Sequence, residues 1–115
     1  MSAPPVEPEP AYHLLLAREE IPVTASALRL LISDEAHQPL IRRLAREVLA
    51  ELDQRPEQGS VLSVALSPQQ MKITHSALRL RLNDLTRDEP EELRLLQTIL
   101  EKLPDEHAIR AIVLE

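Results

Sequence analysis

The chain has 115 residues, enough for one domain with a core of its own, and its 43% apolar and 28% charged residues are the proportions of a folded globular protein. A net charge of −6 provides no general attraction to phosphate backbones or anionic lipid, and Tyr12 as the only aromatic leaves no ring platforms for base stacking and no cages for cationic ligands. The absence of cysteine excludes disulfides, thiolate nucleophiles and Cys-ligated zinc.

Residues 1–11 carry four of the ten prolines and two glutamates, a composition that favours extended, solvated chain, and a disordered tail is expected there. The start has no basic cluster followed by an apolar segment, and no later run is long enough to span a membrane, so a cytoplasmic protein with no membrane partner is expected. A first strand is predicted at "HLLLA", His13 to Ala17. The helix that follows lacks a capping side chain at Ala17 and carries Pro22 where a backbone donor is normally needed, so a late start or a bend is expected. Within "SALRL", Ser26 to Leu30, the residues Ala27, Leu28 and Leu30 are assigned to the buried side and Ser26 and Arg29 to solvent or a neighbouring helix.

A second helix is predicted from Pro39, with Ile41, Leu44, Ala45, Val48 and Leu52 as its apolar stripe. "RPEQGS", with Gly59 the only glycine, is a link, and "VLSVAL", Val61 to Leu66, is a second strand. Ser67, Pro68 and Gln70 spell a capping box that opens a third helix, whose stripe is Met71, Thr74, Leu78, Leu82 and Leu85, widened by Ala77 and Leu80. A fourth helix starts near Pro90, and "AIRAIVL" after Pro104 is predicted to be a closing strand over 108–114.

"SALRL" recurs at Ser76 to Leu80, and the match extends far beyond it. "HLLLAREEIPVTASALRLLISD" lies over "SVALSPQQMKITHSALRLRLND" without a gap, placing Glu19 and Glu20 on Gln69 and Gln70, Val23 on Ile73 and Thr24 on Thr74. After one inserted residue, "QPLIRRLAREVLAEL" aligns with "EPEELRLLQTILEKL", so that a unit of about fifty residues is repeated. The expected fold is therefore α+β and predominantly helical, a tandem βαα repeat in the order βααβααβ. Its two repeats (12–54 and 62–103) form a single domain in which two αα-hairpins surround an aliphatic core, with short antiparallel strands whose edges offer a route to self-association by strand addition.

Motifs that carry chemistry are few. Asp34 to His37 spells DEAH, the letters of the magnesium-binding motif of a helicase family, yet such a site also needs a phosphate-cradling loop with Gly-Lys-Ser or Gly-Lys-Thr, and the aligned segment of the second half reads "NDLTRDEP". A helix end and turn is the better reading. The histidines His13, His37, His75 and His107 have no helical metal-ligand spacing, and no nucleophile elbow is present, so neither a metal, a cofactor nor an enzymatic activity is expected.

The departure between the halves that stands out is on the second helix, where Arg42, Arg43 and Arg46 oppose Leu93, Arg94 and Gln97. Together with Arg29 and Arg79, which no helical core requires, these arginines are the candidate partner-binding residues; the plain alternatives are ion pairs of Arg29 or Arg79 with acids such as Glu20, and of the ridge with Glu47 and Glu51. The expected function is a non-enzymatic protein-interaction or regulatory module that binds a protein partner with an acidic surface or a second copy of itself. A small-molecule or metal-binding protein with a pocket between the hairpins is the alternative. The acidic balance and missing aromatics weigh against nucleic acid.

Overall fold

The computed structural model describes residues 12–33, 39–53, 61–85, 89–104 and 106–112. The Pro/Glu-rich segment 1–11, "DEAH" at 34–37 and the link at 55–60 lie outside these residues. The described chain is predominantly helical with a small antiparallel sheet, an α+β arrangement.

Two five-residue segments alternate between apolar residues that face the core and residues that face out, the period of a strand with one wet side. They are β1 (Tyr12–Leu16) and β2 (Leu62–Leu66). Leu14, Leu16, Leu62, Val64 and Leu66 point inward, whereas His13, Leu15, Ser63 and Ala65 are exposed. The strands pair antiparallel with Leu14 opposite Val64, Leu15 opposite Ser63 and Leu16 opposite Leu62.

Each strand is followed by two helices. α1 (Glu20–Ser33) and α2 (Pro39–Leu52) follow β1; α3 (Pro68–Asp84) and α4 (Pro90–Glu101) follow β2. α3 opens on a complete capping box, with Ser67 Oγ accepting from the Gln70 amide at 3.1 Å and Gln70 Oε1 accepting from the Ser67 amide at 3.0 Å. Pro68 takes the first helical position, where its missing N–H has no intrahelical partner to lose. In the aligned segment the carboxylate of Glu20 accepts the Ala17 amide at 2.7 Å, but Ala17 has no hydroxyl to answer it. Pro22 has no N–H for the carbonyl of Arg18, so α1 starts at Glu20, two positions later than its counterpart, with Pro22 accommodated in the first turn.

The core is aliphatic throughout. Leu28, Leu31, Leu44, Val48, Leu78, Leu96 and Ile99 close around the inner face of the sheet, and the hydroxyls of Thr24 and Thr74, fully buried, donate to the carbonyls four residues back at 2.9 Å in both helices. α1 packs on α3. Ala27 and Ala77, buried and small, line one groove together, so the two "SALRL" segments meet at the centre of the molecule.

Two expectations are corrected. Leu30 and Leu80 are 47% and 46% exposed, because each stands about 200° round the helix from the buried Leu28 or Leu78 and cannot share its face. The closing strand expected over 108–114 is replaced by a short helix, α5 (Glu106–Arg110), and 113–115 lie outside the described residues. Ile109 of α5 and Ile112 in the turn after it, three residues apart, both pack on the core, a helical period that a strand would have split between two faces.

Candidate functional site

α5 packs against α3 and leaves a cleft of about 420 Å³ between them. Lys72, His75, Ser76, Arg79 and Asn83 enter it from α3 and Arg110 from α5, over a floor that includes Leu80 and Ile109. The α3 positions recur every three or four residues, which places them on one stripe of the helix. Three cationic side chains and no carboxylate line the cleft among the described residues, although the chain as a whole carries −6. Lys72 Nζ also donates to the carbonyl of Ile112, which fixes the end of α5 against α3.

The exposed Leu80 belongs to this cleft and to a second groove of about 270 Å³ between α1 and α3, formed by Ala27, Leu30, Leu31 and Ala77 with Arg81 and Asp84 at its end. Arg81 is fixed there by a two-pronged ion pair to Glu92 of α4, Nε to Oε1 at 2.8 Å and Nη2 to Oε2 at 3.0 Å. The hydrogen bond to Glu92 raises the guanidinium pKa above its ordinary value and keeps this cation engaged. Cations on one side of Leu80 and aliphatic surface on the other make an amphipathic strip, chemically suited to an acidic segment with interspersed apolar residues.

Of the arginines singled out in the sequence, Arg79 lines the cleft. Arg29, its aligned partner on α1, is exposed and outside it, because no helix equivalent to α5 follows the first half among the described residues. Arg42, Arg43 and Arg46 stand on α2, the last two exposed and Arg42 half-buried with its Nε enclosed and without a hydrogen-bond partner. The expected pairings are not formed: Glu20 is held by Lys102, and Glu47 accepts from Gln70 at 3.2 Å. Lys72 and Arg110 escaped sequence reasoning. The spacing of Lys72, His75, Ser76 and Arg79 was visible, but its significance depends on α5, which reads as a strand from composition.

No helix among the described residues is long and apolar enough to cross a membrane. Compared with known proteins, the chain matches no family model, no curated protein and no solved structure.

Proposed function

We propose that the protein is a non-enzymatic protein-interaction or regulatory module, built as a tandem βαα repeat, that takes an acidic segment of a partner protein into the cleft between α3 and α5. The observation that carries this reading is the convergence of Lys72 and Arg79 on one cleft with no lining carboxylate among the described residues, in a chain whose net charge is negative. Leu80 and the adjoining Leu30 give the same partner apolar contact, which favours a protein segment over nucleic acid in a molecule with a single tyrosine and no Phe or Trp. The repeat explains why both halves bring "SALRL" to the centre, and the departures between halves supply the specific surface. Cytoplasmic residence belongs to the same reading, and the cysteine-free composition is compatible with it.

A second reading, a small anionic metabolite in place of a peptide, is favoured by the cleft's volume, which falls in the range of small-molecule sites. Fluorescence anisotropy with a labelled peptide of repeated Glu-Glu-Leu separates the two. The expected result is salt-sensitive binding, weakened about tenfold or more by Lys72→Glu with Arg79→Glu and unchanged by Arg29→Glu. Displacement of the peptide by millimolar inorganic phosphate alone would favour the small anion. No binding, or binding indifferent to the reversals, would remove the cleft from consideration.

A further inference from the structure

The two outer edges of the sheet are treated differently. In an antiparallel ladder, alternate residues turn their amide and carbonyl toward the partner strand or away from it. The Ala17 amide donates to the Glu20 carboxylate, so Ala17 faces away from β2; Leu15 and His13, of the same parity, do likewise, and so do their register partners Ser63 and Ala65 on the opposite edge. On the β1 side one of these groups is engaged: Lys102 Nζ donates to the Leu15 carbonyl at 3.0 Å, and Tyr12 Oη, donating to the Lys102 carbonyl, ties Lys102 to that strand. On the β2 side the residue aligned with Lys102 is Glu51, which has no proton to donate to the carbonyl of Ala65. "VLSVAL" contains neither charge nor proline, the usual protections of an edge strand, and Val61 is 53% exposed at its start.

α2 packs beside β2, and its charges run against its own dipole. Arg42, Arg43 and Arg46 occupy the first half and Glu47, Glu51 and Asp53 the second half and the residue after it, whereas α4 has Glu91 and Glu92 in its first turn and Lys102 at its end, the favourable order. Nothing within the described chain offsets this reversal, since Arg42, Arg43 and Arg46 make no ion pair there.

We infer that a second copy of this chain docks on the open edge of β2. A twofold axis through Val64 pairs β2 antiparallel with its copy, so that the outward amides and carbonyls of Ser63 and Ala65 satisfy those of Ala65 and Ser63 in a four-stranded sheet ordered β1-β2-β2-β1. The same axis sets the two α2 helices antiparallel, with the arginine half of each opposite the acidic half of the other. The charge order that is unfavourable within one chain becomes attractive between two.

Sedimentation equilibrium on the full chain tests this, with circular dichroism as the check on folding. Wild type should reach twice the chain mass as concentration rises. Ala65→Pro removes an amide that faces away from β1, so it should retain the helical spectrum and weaken dimerisation by about tenfold or more. Arg43→Glu with Arg46→Glu, and separately Glu47→Arg with Glu51→Arg, should each be monomeric alone and form a heterodimer when mixed. A wild type that stays monomeric up to its solubility limit overturns the inference, as does a dimer untouched by Ala65→Pro or by the charge reversals. Binding of the acidic peptide to the Ala65→Pro monomer is measured separately, so failure of the dimer and failure of the cleft are told apart.

Discussion

Lys102, one residue past the end of α4, holds Glu20 at the start of α1, Nζ to Oε1 at 2.5 Å, with the carboxylate only 3% exposed. The same carboxylate oxygen accepts the Ala17 amide, and the same ammonium donates to the Leu15 carbonyl. One ion pair thus joins the strand, the first helix and the second hairpin. Lys102→Met should leave a buried carboxylate without its cation and cost about 2 kcal/mol, below the full penalty for a broken buried pair because Lys102 is itself partly in solvent. Glu20→Gln should cost clearly less, since a carboxamide oxygen still accepts the Ala17 amide as Gln70 accepts that of Ser67. Urea unfolding midpoints decide it: a Lys102→Met protein as stable as wild type would mean that the pair contributes nothing.

The second hairpin uses an ion pair where the first uses hydrocarbon. Arg81 and Glu92 align with Leu31 and Ile41, a core residue and a half-buried neighbour of the core. Arg81→Leu alone should destabilise by about 1 kcal/mol, because Glu92 is left without its partner. The double variant Arg81→Leu, Glu92→Ile should recover wild-type stability or exceed it. A thermal melt of the double variant that falls below the single one would contradict this.

Arg42 places its Nε in the interior without a partner, where the aligned residue of the other half is Leu93. An enclosed, unsatisfied donor costs about 1 kcal/mol or more. Arg42→Leu should therefore raise the melting temperature. The measurement is a scan at concentrations low enough to keep association out of the reading, and an unchanged or lower value would show that the guanidinium is satisfied in solution.

Capping is unequal between the halves. Ser67→Ala should cost about 1 kcal/mol, the usual loss for a capping side chain. Ala17→Ser should return little of that at α1, because the Glu20 amide is already hydrogen-bonded to the Ala17 carbonyl at 2.9 Å and Pro22 has moved the helix start. Chemical denaturation of both variants provides the comparison; a gain at Ala17 equal to the loss at Ser67 would show that the two starts are equivalent.

Much of this architecture was legible because its signals are local. The prolines at 39, 68 and 90 mark helix starts, the capping box at Ser67 is complete in four letters, and the apolar stripe of α2 is buried at Leu44, Ala45, Val48 and Leu52. Leu30 and Leu80 are apolar but exposed, because burial follows angular position on the helix and theirs points away from the core. α5 was hidden because a short apolar run fits either period, and choosing between them requires knowing that Ile109 and Ile112 share one side of the core. The cleft was hidden with it. Lys102 and Glu20 meet only once the chain has closed, so no spacing rule connects them.

Tyr12 stands alone in a chain without Phe or Trp, and its hydroxyl is bound to the carbonyl of Lys102, ninety residues away in sequence. Its ultraviolet signal is therefore a natural optical probe of one event, the seating of the end of α4 on the first strand. Far-ultraviolet dichroism, by contrast, counts helical turns wherever they form. Followed side by side through an unfolding transition, the two signals read closure and coiling separately, and any gap between their midpoints would reveal a partly folded form with helices intact and the strand released.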